Sequence, residues 1–468
     1  MTDTTGWRDG RRPRTALGMA VLGLGVSVVP LDTSVNIALP AITQAFGLEL
    51  PSIQWVVVCY VLTYSGLMLV CGKLGDLFGY RRLFRAGLSL GVVAFLACAM
   101  ADGFGWFLAS RVLQGVAAAL TLSCAPALAI SLYPDDQRTR ALAVYAALMS
   151  IGAAIGPSLG GMLVDWLGWS GVFWFRAPIC VAALALSAFL PARVGGPARP
   201  FDGLGAVLLA GWIGAGLMAL VLSQSVAMDW WLPASLAVVA IAGFLSFVRH
   251  ERTVADPILR PSLFRDLDFA IPNLVNVIVN LVAFAVLLLV PYWLVRVAGM
   301  GATAGGFVLA LSPVGGIVGA YLAGWLARHL PIRAMALIGA VAVVVTSVVI
   351  GRSGAHTHAL WLGAALFAQG LGVALYQVAY TDLVTSTLPP RDRGVAGSLA
   401  MVTRTIGTVA GAALLSALYR SGEATALTSG LTPDGAFLIG FRVAFTAAAA
   451  GLAALLALTM LRPRVWFS

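Results

Sequence analysis

The sequence predicts an all-α, polytopic membrane protein with fourteen transmembrane helices: two six-helix bundles plus two additional central helices. Three observations carry the prediction. Hydrophobic residues make up 60% of the 468-residue chain and charged residues 10%, too few to give a soluble core of this size a polar skin. Apolar stretches recur along the chain at the length of about 20 residues that a helix needs to cross a bilayer. Basic residues gather in every second connection, the pattern that orients a membrane protein.

Taken in order, the spans are expected at about 15–40, 52–72, 82–101, 105–127, 140–164, 170–190, 203–224, 231–249, 270–292, 303–328, 332–351, 358–381, 394–418 and 437–461. With the N-terminus inside, 22 of the 29 basic residues fall on the cytoplasmic side. Only Arg296, Arg352 and Arg420 fall outside, while Arg111, Arg176, Arg404 and Arg442 fall within spans. Both termini are thus expected to be cytoplasmic, in the inner membrane of a bacterium. The net charge of +10 is an orienting charge rather than a nucleic-acid face. The apolar run after Arg14 is too long for a signal-peptide core, so it is expected to remain as the first span. The five cysteines lie in or beside spans, with spacing that suits neither a disulfide framework nor a zinc site.

The chain repeats itself. GKLGDLFGYRR (72–82) has a degraded echo in GWLARHLPIR (324–333), Gln114-Gly115 recurs as Gln369-Gly370, and Arg138-Thr-Arg140 recurs as Arg391-Asp-Arg393. The offsets are 252, 255 and 253 residues, close enough to mark a parallel duplication of six helices. The expected organisation is an N-terminal bundle over 1–190, linkers with two inserted helices over 191–268, and a C-terminal bundle over 269–468.

Asp32, in VVPLDTSVNIALP (28–40), is the only charge between Arg14 and Glu49. A carboxylate at mid-bilayer costs about 2.5–3.5 kcal/mol on insertion scales, so its presence points to a wetted pathway in which it binds a proton or a cation. Asn36 shares its helix face at i+4, and Asn273, Asn276 and Asn280 form a matching polar stripe on the ninth span. Arg111 is too deep in the fourth span to snorkel easily, and it too needs a wet cavity or an acid. In the fifth span Gly152, Gly156 and Gly160 recur every four residues, a groove for close helix approach, with Pro157 able to bend the helix and Gly161 following. In 72–82 the glycines Gly72, Gly75 and Gly79 are expected to turn the chain tightly, with Asp76, Arg81 and Arg82 available for pairing.

GKLGDLFGYRR, FLASRVLQG (107–115), SIGAAIGPSLGG (150–161) and LDTSVNIALPAI (31–42) together resemble the motifs of the major facilitator superfamily, and specifically its fourteen-helix drug:proton antiporter branch. The resemblance covers nearly the whole chain. It implies multidrug efflux with antibiotic resistance, driven by proton antiport. It implies that Gly72, Asp76, Gly79, Arg81 and Arg82 form a conformational latch, that Arg111 takes part in proton coupling, and that the glycine helix is the antiporter motif. Asp32, Asn36, Arg111, Gln114, Asn273, Asn276, Asn280, Gln369 and Tyr376 are the expected substrate and proton pathway, with Gln377 and Tyr380 as weaker candidates. One residue departs from the family pattern. Arg176, in FWFRAPI (173–179), stands where asparagine is usual, and is either a partner for Asp165 or a sign of an unusual substrate.

The chain carries no phosphate loop, no ligand cluster for a metal and no nucleophile–base pair. We therefore expect no enzyme activity, no cofactor and no nucleic-acid partner, with the proton gradient as energy source. The partners expected are a small amphiphilic substrate, protons and the lipid bilayer, for a chain acting as a monomer; an adaptor protein is left open. The alternative reading is a lipid or anionic natural-product transporter of the same fold, because four intramembrane arginines face one deeply placed acid.

Overall fold

Long apolar helices account for nearly all of the chain. The computed structural model describes residues 12–134, 137–191, 202–223, 230–254, 261–387, 393–462 and Trp466. Most of the 191–200 linker, and Arg8, Arg11, Arg193, Arg199, Arg260, Arg391 and Arg464, lie outside the described residues.

The helices are α1 (Arg12–Ser27), α2 (Thr33–Ala45), α3 (Leu50–Phe78), α4 (Tyr80–Ala99), α5 (Phe104–Ser131), α6 (Arg138–Leu167), α7 (Gly171–Trp174), α8 (Arg176–Leu186), α9 (Gly203–Leu222), α10 (Trp231–Glu251), α11 (Leu267–Arg296), α12 (Ala302–Leu326), α13 (Ile332–Gly351), α14 (Ala359–Thr387), α15 (Arg393–Thr428) and α16 (Pro433–Thr459). Among the described residues twelve spans are long and apolar enough to cross a bilayer; α3, bent by 48°, makes a thirteenth if counted as one span. The apolar helix α9 falls short of that test, so the expected count of fourteen is approached rather than met.

Two expectations are corrected, and two spans hold to their expected places with an interruption inside. The first span runs over Thr15–Ala45, with a 3-10 turn, Pro30–Asp32, between α1 and α2. Pro30 has no N–H to donate and crowds the preceding turn, so an interior proline shifts the backbone there. The sixth span is likewise divided into α7 and α8. The 72–82 segment is mostly not a turn, because α3 continues to Phe78 and only Gly79, at φ 91°, leaves helical geometry. Gly72 and Gly75 are therefore helix residues, and Lys73 and Asp76 belong to α3. Finally, α15 runs ten residues beyond its expected end and carries Arg420 inside it. The segment after Leu418, YRSGEATALT, contains no proline to stop the helix although its hydropathy falls, and the chain turns only at Gly430, φ 80°.

The chain divides into two compact units, one ending at Val35 and resuming at Cys59–Phe201, the other comprising Asn36–Val58 and the residues from Asp202. In the first, the 3-10 turn packs on α6, α4 on α5, and α4 on α8. In the second, α11 packs on α15, α13 on α14, and α13 on α16. These are the same pairings, helix for helix, one repeat later. Gln-Gly recurs for a steric reason. A Cβ at Gly115 would come within 2.6 Å of Thr63 in α3, and one at Gly370 would overlap the Ser312 carbonyl in α12. Residues 36–58 are tied into the second unit by Thr43 to the Tyr292 hydroxyl (2.6 Å) and by Ser416, which donates to Gln54 (3.1 Å).

Burial separates central from peripheral helices. In α11, 67% of the span is buried, against 11% in α10, whose Val238, Val239 and Ile241 are exposed as lipid contact requires. The inserted pair α9 and α10 is pinned at one end by Asp202, which accepts from the Gly205 amide at 2.8 Å and meets His250 Nε2 at 2.6 Å. Burial works to raise the Asp202 carboxyl, but the hydrogen bonds from His250 and Gly205 outweigh it and leave it below the usual range. A carboxyl depressed in the folded state stabilises above its unfolded value and loses that contribution as pH falls through the folded one. Asp202→Asn, which keeps the Gly205 cap but not the charge facing His250, is therefore expected to lower stability at pH 7 by about 0.2–1 kcal/mol, read as a lower apparent unfolding temperature. The gap to wild type should close below about pH 4. A gap independent of pH would show that the carboxylate charge plays no part.

Candidate functional site

The break between α1 and α2 presents Asp32 to two arginines from different helices. Arg111, from the middle of α5, grips it with two parallel hydrogen bonds, Nη1 to Oδ1 and Nη2 to Oδ2, each 2.8 Å. Arg176, the first residue of α8, donates from Nη1 to Oδ1 at 2.6 Å. Gln114, one turn along α5 from Arg111, completes the set. Its amide donates to Asp32 at 2.9 Å, and its carbonyl oxygen accepts from Arg111 at 2.7 Å. Both guanidinium groups are fully buried, and the carboxylate side chain is 14% exposed. Bidentate, charge-assisted pairs of this type are among the strongest hydrogen bonds available to a protein.

Aromatic rings close the site. The Arg111 guanidinium lies 4.6 Å from the Tyr60 ring centre, and that of Arg176 lies between Phe95 at 4.8 Å and Phe173 at 4.9 Å. Arg176 Nε also donates to the Val172 carbonyl at 3.0 Å. Of the two readings of Arg176, a partner for Asp165 or a sign of an unusual substrate, the first gives way to pairing with Asp32. The two residues are 144 apart in sequence, so only the packing of α8 could disclose it. Tyr60, Phe95 and Phe173 carried no signal in the sequence, since aromatic residues in apolar spans are common.

The glycine helix packs directly on this break. A Cβ at Gly152 would meet Pro30 at 2.8 Å, one at Gly156 would overlap the Thr33 hydroxyl, and one at Gly160 would lie 2.6 Å from Ser34 Cβ. Thr33 also donates to the Ala153 carbonyl at 3.2 Å. Pro157 is inside α6, and Gly161 is buried beside Gly160. Asn36 is buried one turn beyond Asp32.

The second unit uses its polar residues differently. Asn273 donates to the Phe269 carbonyl (2.7 Å) and accepts from the Tyr380 hydroxyl (2.8 Å). Asn276 donates to Thr403 (2.8 Å), Asn280 donates to the Asn276 carbonyl (2.8 Å), and Tyr376 donates to the Pro272 carbonyl (2.8 Å). The asparagine stripe is thereby engaged in bonds within α11 and to α14 and α15. Gln369, the counterpart of Gln114, is buried with neither amide atom hydrogen-bonded among the described residues; Leu366 stands where the first half has Arg111. At the α3–α4 turn, Tyr80 donates to the Asp76 carboxylate, while Arg81 and Arg82 form no ion pair with it among the described residues.

A family model described as Major Facilitator Superfamily matches residues 15–412. A puromycin resistance protein of Streptomyces alboniger is 31% identical, over 96% of this chain and 91% of its own. A tetracenomycin C resistance and export protein of Streptomyces glaucescens is 30% identical, over 90% of this chain and 78% of its own. Among solved structures, a bacterial homologue of the human lysosomal transporter Spinster shares the fold, with a TM-score of 0.71 at 16% identity over 97% of this chain and 98% of that one.

Proposed function

Because the chain belongs to the Major Facilitator Superfamily, a family of multi-pass membrane transporters, we propose that it exports small amphiphilic drugs or metabolites in exchange for protons, by alternating access. The observation that carries this reading is the Asp32 cluster: one carboxylate that can take a proton, held by two guanidinium groups whose bonds to it are strongest when it is ionised. The names of the relatives, resistance and export proteins, support the direction of transport.

The step follows from the hydrogen bonds. Ionised Asp32 ties the break between α1 and α2 to α5 through Arg111 and Gln114, and to α8 through Arg176. Each charge-assisted bond contributes about 1.5–3 kcal/mol. Protonation removes the charge from these bonds and releases the break from α5 and α8, which biases a two-state element by several kcal/mol. α6 lies against the same break at Gly152, Gly156 and Gly160, so a shift there is passed to α6. A substrate that competes with the proton for this cluster is exchanged for it, since binding of one excludes the other. In this reading the chain acts as a monomer in the bacterial inner membrane with both termini cytoplasmic. It needs no cofactor beyond the proton gradient, and the α3–α4 turn around Asp76, Arg81 and Arg82 latches one access state.

The test is transport in proteoliposomes with an acidic lumen and a pH-sensitive dye inside. Addition of a lipophilic drug to the outside should raise lumenal pH as drug enters and protons leave. A panel of such drugs that leaves the lumenal pH unchanged, with protein shown to be inserted, would rule out proton exchange.

A further inference from the structure

Two fully buried guanidinium groups, from Arg111 and Arg176, meet on the Asp32 carboxylate. Guanidinium groups at this depth in a membrane protein call for acceptors and counter-charge. The unmet hydrogen-bonding capacity points the same way. Arg176 Nη2 and the Tyr60 hydroxyl are both buried and without a hydrogen-bond partner among the described residues. A guanidinium nitrogen can only donate and a phenol donates readily, so what the two groups lack is an acceptor. A small cavity of about 20 Å³, room for about one water-sized particle, is lined by Tyr60. Its wall includes Tyr60 and Gln114 from the cluster, Phe95 from beneath the Arg176 guanidinium, and Cys180, one helical turn after Arg176.

We propose that Arg176 and Tyr60 form an anion-binding subsite in the N-terminal unit, taking a single monovalent anionic group the size of a halide or a carboxylate. Arg176 supplies charge and one free donor, Tyr60 supplies a second, and the Phe95 and Phe173 rings exclude water and hold the guanidinium plane. Chloride and the carboxylate of a transported molecule present the same chemistry here. The subsite stands apart from proton exchange: it is defined by Arg176, and equilibrium binding reads it without any gradient. It predicts that an anion binds more tightly once Asp32 no longer occupies the arginines.

The experiment uses the purified full-length chain in detergent at constant ionic strength. Gluconate, too large for the cavity, is replaced stepwise by fluoride, chloride or formate, and apparent unfolding temperature and tryptophan fluorescence are followed. Wild type should respond saturably to at least one of the three. Arg176→Asn should weaken that anion roughly tenfold or more, and Asp32→Asn should tighten it by a similar factor. Tyr60→Phe, which keeps the ring under Arg111, should weaken it several-fold. Preference for a halide identifies a resident inorganic ion, and preference for formate identifies a carboxylate group. The proposal is overturned if wild type shows no saturable response, or if Arg176→Asn binds as wild type does. Should Arg176→Asn fail to fold, unchanged affinity in Tyr60→Phe overturns it equally. Loss of proton-driven transport with intact anion binding would count against antiport alone, whereas intact transport with no anion response would sink the subsite alone.

Discussion

Asp32→Asn is expected to abolish proton-driven transport, lowering the initial rate at least about a hundredfold, because the amide cannot exchange a proton at physiological pH. The same substitution should destabilise the protein. It leaves Arg111 and Arg176 buried without their carboxylate, and breaking a buried pair from one side costs about 3–5 kcal/mol. The two consequences are separable. In the double variant Asp32→Asn/Arg176→Asn one excess charge is removed, so part of the lost stability should return while transport stays absent. Arg176→Asn alone should cost less than Asp32→Asn alone, since Asp32 keeps both bonds to Arg111 at 2.8 Å. Apparent unfolding temperatures of the four proteins complete a double-mutant cycle. If the effects add within about 0.5 kcal/mol, the arginine and the acid are not coupled. If Asp32→Asn still exchanges drug for protons at the wild-type rate, the carboxylate is not the coupling group.

Gly160→Leu is expected to remove folded protein from the membrane, and Gly160→Ala to cost about 1–3 kcal/mol. A Cβ at this position lies 2.6 Å from Ser34 Cβ, 2.7 Å from Ser34 Cα and 2.8 Å from its carbonyl oxygen. Two of those three atoms belong to the backbone, so no rotamer change relieves the overlap and α6 must move off the α1–α2 break. Ser34 is two residues from Asp32, and the displacement reaches the ion cluster directly. Gly72→Ala is the contrast. Its Cβ meets nothing within 4 Å, and the residue is inside α3, so stability should hold or rise by about 0.5–1 kcal/mol. Detergent-extracted yield on size exclusion, with apparent unfolding temperature, checks both. Equal yields for Gly160→Leu and Gly72→Ala would show that α6 does not need this contact. A transport defect in Gly72→Ala at full stability would instead place Gly72 in the moving turn.

Much of this was legible from the linear sequence. Long apolar runs dictate helices because a bilayer leaves every backbone group to be satisfied within its own segment. The repeat at an offset of 252 to 255 residues foretold pairings that recur from one unit to the next. Asp32 and Arg111 announced themselves, since charge at membrane depth is too costly to be incidental. Less legible were places where two elements meet. Pro30 opens the 3-10 turn that follows α1, and that turn presents Asp32 to α5 and α8. Gly72 and Gly156 look alike in the sequence, and only the neighbouring helix distinguishes them: one faces open space, the other the Thr33 hydroxyl.

The sequence by itself determined the class of the protein, its helical segments, its duplication and the identity of the costly residues, because each follows from composition, period or solvation along one stretch of chain. Only the tertiary structure decided which charges meet. Arg176 could be assigned to Asp165 or to an unusual substrate until α8 placed it 2.6 Å from Asp32. That contact joins residues 144 positions apart, and its energy depends on angle, distance and exclusion of water, none of which a local pattern encodes.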